Sequence, residues 1–110
     1  MMWGMPRAPV LTKYQSVELA EIFHLLGDVN RLRLSLLCLD GPLSVGDLAT
    51  KLRLSQSLVS HHLRLLRGAR VLRPERDGKR VFYQLADQHI SRMLRDMATH
   101  IREPNGADEK

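Results

Sequence analysis

The sequence contains a single cysteine among 110 residues. One thiol cannot close an internal disulfide, so a disulfide-stapled scaffold is excluded and nothing points to an oxidising compartment. Seven glycines and five prolines are too few for a collagen-like or low-complexity chain. No apolar run approaches the ~20 residues of a membrane span. The opening MMWGMPRAPVL lacks the apolar core of a signal peptide. These absences lead to the expectation of a cytoplasmic protein with no membrane partner. Catalytic signatures are missing too: there is no Gly-rich phosphate loop, no HExxH and no Ser/His/Asp set. The expectation is a non-enzyme with no small organic substrate. What is present is ordinary globular material, 44% hydrophobic and 26% charged, enough for one domain of ~100–200 residues.

Charge is unevenly placed. Residues 51–80 hold nine basic residues and two acidic ones, net +7. The other eighty residues are net −2. A concentrated basic segment on a near-neutral body points to a polyanion partner.

Residues 1–11 show no periodicity and read as a flexible arm. Residues 12–103 read as one domain and 104–110 as a disordered tail. The apolar spacing predicts a helix over Thr12–Leu26, ended by Gly27. Asp28 caps a second helix to about Leu39, and Asp40-Gly41-Pro42 stops it. Ser44 caps a short helix that buries Val45, Leu48 and Leu52. Ser55 caps another to about Gly68, with Val59, Leu63 and Leu66 on its buried stripe. The period then changes. VLRPERDGKRVFYQL carries Asp77-Gly78, which predicts a two-residue type I′ hairpin with Glu75 facing Arg80 and Leu72 facing Tyr83. Asp87 caps a last helix to about Glu103, with the stripe Ile90, Met93 or Leu94, Met97 and Ile101. The fold class is mainly α with a β-hairpin: a winged helix-turn-helix.

The helix after Ser55 carries Gln56, Ser57, Ser60, His61 and Arg64 in its first turns. At 100° per residue, positions 57, 60, 61 and 64 share one face, opposite the apolar stripe. Short polar side chains there suit base edges in the major groove. Arg76, Lys79 and Arg80 near the hairpin tip suit the DNA backbone or minor groove. His62 leans towards the body and is left out of the contact set. Double-stranded operator DNA is the expected partner.

The last helix pairs Asp87 with His89 and, eleven residues on, His100 with Glu103. Carboxylate and imidazole are zinc ligands. They are also ordinary residues of a solvated helix, and Asp87 is explained by its cap. Eleven residues is ~16 Å of helix rise, too far for one ion within one chain. It is also close to three full turns, so both pairs share a face. Two such helices packed antiparallel would set each first pair beside the partner's second pair.

The run DLATKLRLSQSLVSHHLRLLRGARVLRPERDGKRVFYQL resembles the ArsR/SmtB family of metal-responsive winged-helix repressors over about residues 16–103. The resemblance implies a homodimer, joined through the N- and C-terminal helices, that represses an inverted-repeat operator when metal-free. It implies that Asp87, His89, His100 and Glu103 match the family's zinc site on the C-terminal helix. Zn(II) would be the inducer and Co(II) a possible surrogate. Ser44 stands where some members carry a metal-binding thiolate, which implies that this second site is absent or crippled. With Cys38 alone, the multi-thiolate chemistry of arsenic, cadmium and lead sensors is missing. The resemblance also implies an outer contact from His100 to the backbone near Arg70 and Val71. The alternative is a repressor of the same fold that answers a different signal, with a vestigial metal site.

Overall fold

The computed structural model describes residues 7–104. The expected tail beyond Pro104 and residues 1–6 of the expected arm lie outside that range; residues 7–11 have no regular structure. Helix α1 spans Lys13–Leu26 and α2 spans Val29–Leu37. Strand β1 is Leu43–Ser44, followed by α3 (Val45–Leu52) and α4 (Gln56–Gly68). Strands β2 (Leu72–Asp77) and β3 (Arg80–Leu85) lead into α5 (Gln88–Arg102).

Local chemistry sets these boundaries. At α1, Thr12 Oγ1 accepts the Gln15 N–H while Gln15 Oε1 accepts the Thr12 N–H, each at 3.0 Å. This reciprocal box satisfies donors that the first helical turn leaves free. Ser44 and Asp47 repeat it at α3. Single carboxylate or hydroxyl caps start the others: Asp28 for α2, Ser55 for α4 and Asp87 for α5. Helix α2 ends two residues earlier than expected, because Cys38–Asp40 tighten into a 3-10 turn. Gly41 then takes φ 144°, a conformation for which glycine is suited. That bend throws the chain into β1, a strand the sequence reading missed. It is only two residues long and pairs antiparallel with β3, Leu43 opposite Tyr83 and Ser44 opposite Phe82. The sheet order is β1-β3-β2.

The hairpin register differs from expectation. Asp77 pairs with Arg80, so Gly78 and Lys79 form the turn. Gly78 has φ +64° and Lys79 is not left-handed, which excludes the type I′ turn, where both central residues need φ > 0. Glu75 therefore faces Phe82, and Leu72 faces Leu85. The slide is by two residues, so every side chain keeps its face. Only glycine now bears the positive φ, and two buried leucines lie opposite each other.

The core joins Leu34, Leu48, Leu52, Val59, Leu63, Leu66, Val71, Leu72 and Leu85, with Leu25, Leu26 and Leu94 from the flanking helices. Val45 is only partly buried. Arg70, in the left-handed conformation at φ 60°, lets the chain leave α4 and enter β2 within a few residues. The last helix departs from its expected stripe, and the first leaves apolar residues open as well. On α1, Val17, Leu19 and Phe23 are exposed. On α5, Leu94 is buried, Ile90 and Met93 pack partly, and Met97 and Ile101 stand in solvent. Arg95 ties α5 down by donating to the Leu39 carbonyl at 2.9 Å.

Candidate nucleic-acid interface and metal-ligand helix

Helices α3 and α4 meet at a turn where Arg53 adopts the left-handed conformation. Val59, Leu63 and Leu66 anchor α4 on the core. Its opposite face carries Gln56, Ser57, His61 and Arg64, all exposed, with Ser60 half-buried at the edge. His62 points inward and is buried, and its Nδ1 has no hydrogen-bond partner among the described residues. Desolvation holds its pKa below the ordinary 6.5, against the pull of Asp28.

The hairpin projects beside this helix. Arg76 and Lys79 are exposed near its tip. Arg76 pairs with Val81 and Pro74 with Tyr83, so these four share the face that continues from the buried Leu72–Leu85 pair. Arg80 lies on the other face. Its guanidinium sits 5.0 Å from the centre of the Phe82 ring and donates to Ser44 Oγ at 3.4 Å. That couples the wing to the start of α3 and commits Arg80 partly to contacts inside the chain. Nearby, Asp47 has its pKa lowered, chiefly by the Ser44 N–H, with Arg80 adding a smaller pull. Among the described residues, the ion pairs are Arg70–Glu18 and Arg95–Asp40. None involves the α4 reading face or the hairpin tip.

On α5, Asp87 Oδ1 accepts the Ile90 N–H at 3.0 Å, and its second oxygen has no hydrogen bond among the described residues. His89, His100 and Glu103 are exposed. Among the described residues, no three His, Cys, Asp or Glu side chains of the one chain come together as a metal site. Each α5 pair offers two donors, half of a tetrahedral set. By type these donors fit Zn(II), and a set of four would need residues from a second chain. Ser44 fits no metal: its hydroxyl caps α3 and accepts from Arg80. Burial pushes the Cys38 thiol up to about 12, which leaves it unionised and inert as a ligand. No hydrogen bond joins His100 to Arg70 or Val71 among the described residues, and the Val71 carbonyl already accepts the Ala86 N–H at 2.9 Å.

A capped helix pair with a polar reading face, a basic wing beside it and a small antiparallel sheet define a winged helix-turn-helix DNA-binding protein. Residues 28–73 match the family model described as bacterial regulatory protein, arsR family. The chain is 40% identical over 94 residues to a transcriptional repressor SmtB homolog of Synechocystis sp., covering 86% of this chain and 71% of that one. It is 34% identical over 94 residues to a cadmium resistance transcriptional regulatory protein CadC homolog of Staphylococcus aureus, covering 84% and 78%. Among solved structures, a homodimeric winged helix-turn-helix DNA-binding domain from Mycobacterium bovis superposes with a TM-score of 0.75 at 18% identity, covering 86% and 90%. The chain belongs to the ArsR/SmtB family of bacterial transcriptional regulators. Its class is regulation, not catalysis.

Proposed function

We propose that this protein is a homodimeric, metal-sensing repressor that holds an inverted-repeat operator when metal-free and releases it when Zn(II) binds. What supports the reading is α5: four exposed residues of donor type, Asp87 and His89 at its start and His100 and Glu103 at its end, the pairs ~16 Å apart, on a helix whose Met97 and Ile101 are exposed among the described residues. Asp87 and His89 of one protomer, with His100 and Glu103 of the other, would hold the metal, and Co(II) could replace it. Bound there, the ion supplies a crosslink between the two α5 helices. Release follows only if the off-DNA dimer offers the tighter metal site, and the coupling is reciprocal. On the DNA side, Gln56, Ser57, Ser60, His61 and Arg64 read the major groove while Arg76, Lys79 and Arg80 serve the backbone. A twofold dimer then sets two half-sites about one DNA turn, ~34 Å, apart. A cytoplasmic location follows from a DNA partner. The names of the SmtB and CadC homologs support the regulatory and metal elements of this reading, and the homodimeric fold neighbour supports the assembly.

Mixed dimers test the shared site. One protomer carries Asp87→Ala with His89→Ala, the other His100→Ala with Glu103→Ala. Each homodimer should lose tight zinc binding, and the mixed dimer should regain one site of two. A mixed dimer with none, or homodimers that keep both sites, would contradict the proposal.

A further inference from the structure

The sequence places the DNA-facing cations at the start of α4 and the tip of the hairpin. The structure adds a groove between them. One part, of about 380 Å³, is lined by Arg67, Pro74, Arg76, Val81 and Tyr83. The adjoining part, of about 260 Å³, is lined by Ser60, Arg64, Arg67 and Tyr83. Arg67 and Tyr83 belong to both. On α4, positions 60, 64 and 67 follow one face at helical spacing. On the hairpin, Tyr83 and Arg76 share the face turned towards them.

Three guanidiniums therefore line one groove, and none of its lining residues is acidic. Arg64, Arg67 and Arg76 make no ion pair among the described residues, and the Tyr83 hydroxyl makes no hydrogen bond there. Converging cations without a counter-charge repel one another, and their forked N–H groups match phosphate oxygens. A phenol beside them supplies an uncharged donor.

We propose that this groove seats a backbone phosphate of duplex DNA, gripped by Arg67 from α4 and Arg76 from the wing, with the Tyr83 hydroxyl as a neutral donor. The seat rests on the DNA-binding reading and adds two residues to it, Arg67 and Tyr83. A phosphate held there locks the recognition helix and the wing to the same point on one strand. The seat fixes orientation and carries no base preference. It therefore acts on operator and random DNA alike.

Because it is sequence-blind, a random-sequence duplex is a sufficient probe. Affinity is measured by fluorescence anisotropy between about 50 and 200 mM salt, on the full chain. Arg67→Gln should lower affinity about tenfold and reduce the salt slope by about 0.9 for each protomer engaged. Tyr83→Phe should lower affinity about fivefold with the slope unchanged, since a lost neutral donor releases no counterion. Arg73→Gln removes the same charge from an exposed β2 position that lines a neighbouring depression with Arg67 but not this groove and should leave affinity within twofold. Thermal melts confirm that each variant is folded. Equal losses for Arg67→Gln and Arg73→Gln would reduce the groove to general electrostatics and overturn the seat. So would a Tyr83→Phe variant indistinguishable from wild type. If wild type itself failed to bind the duplex, the DNA-binding reading would fall instead.

Discussion

The reading head and the flanking helices of this small protein are built in opposite ways. In α3 and α4 the centre of each apolar stripe closes on a neighbour: Leu48, Val59 and Leu66 have no exposed surface and Leu63 is 1% exposed, while Val45 is partly buried and Leu58 and Leu65, off the stripe, are exposed. In α1 and α5 the same kind of stripe is left open: Val17 is 61% exposed, Phe23 55% and Ile101 77%. Among the described residues the head buries its core leucines and Val59 within one chain. Among the described residues the flanking helices carry apolar surface that nothing covers, and exposed apolar surface on that scale is a feature of interfaces. The difference separates two jobs. The well-packed head presents side chains to DNA, while in the proposed function the flanking helices meet a second copy and report what happens between subunits.

That contrast can be broken from either side. The largest expected effect lies in the head. Leu63→Ala should destabilise the fold by about 2–5 kcal/mol, because the removed methyls leave a cavity in close-packed surroundings. A urea titration of the variant checks this, and a loss under 1 kcal/mol would show that α4 is less firmly seated than its burial implies. Ile101→Asp should leave the protomer's fold intact and abolish dimerisation at micromolar concentration, read by sedimentation. Unchanged dimers would move the interface away from α5.

Smaller effects sharpen the comparison inside the head. Ser60→Ala should cost about 1–3 kcal/mol of operator affinity and little affinity for random DNA, if Ser60 meets a base. The two wing arginines should part company. Arg76, on the groove face, should lower the salt slope when changed to Ala. Arg80, held by Phe82 and Ser44, should lower it less and instead loosen the start of α3. Hydrogen exchange at the Asp47 amide, which is bonded to Ser44 Oγ, reports that loosening.

The smallest effect is one of pH. His62 is buried neutral, its folded pKa held below 6.5 by desolvation, while Asp28 opposes and Arg31 and His61 reinforce the shift. Above pH 6.5 both the folded and unfolded forms are neutral and no penalty arises. As pH falls below that value the unfolded chain takes up the proton first, so stability declines with falling pH. His62→Phe should flatten that decline in thermal melts between about pH 7 and 5, the window set by the ordinary histidine value.

The sequence carries the helices plainly, because Asp28, Ser44, Ser55 and Asp87 are chemically committed caps and each begins the helix assigned to it. It does not carry β1, since two residues have no period to read. Nor does it fix the turn: Asp77-Gly78 and Gly78-Lys79 are both permissible, and the opposition of Leu72 and Leu85 settles between them. The site divides the same way. The α4 face follows from helical spacing alone. The groove joining Arg67 to Tyr83, and the engagement of Arg80 with Ser44, depend on how hairpin and helices pack, which no local pattern encodes. The four α5 residues proposed as donors lie exposed towards the two ends of the helix, where the spacing puts them.

The central claim is that metal held between the α5 helices controls the grip of a head that is complete without it. The direct measurement is the affinity of wild type and His100→Gln for a duplex selected from a random pool by the metal-free protein, in EDTA and in saturating Zn(II). Both proteins should bind alike in EDTA. Zinc should release wild type, and His100→Gln should stay bound. If zinc released neither protein, or released the variant as fully as wild type, the account of the switch would be contradicted.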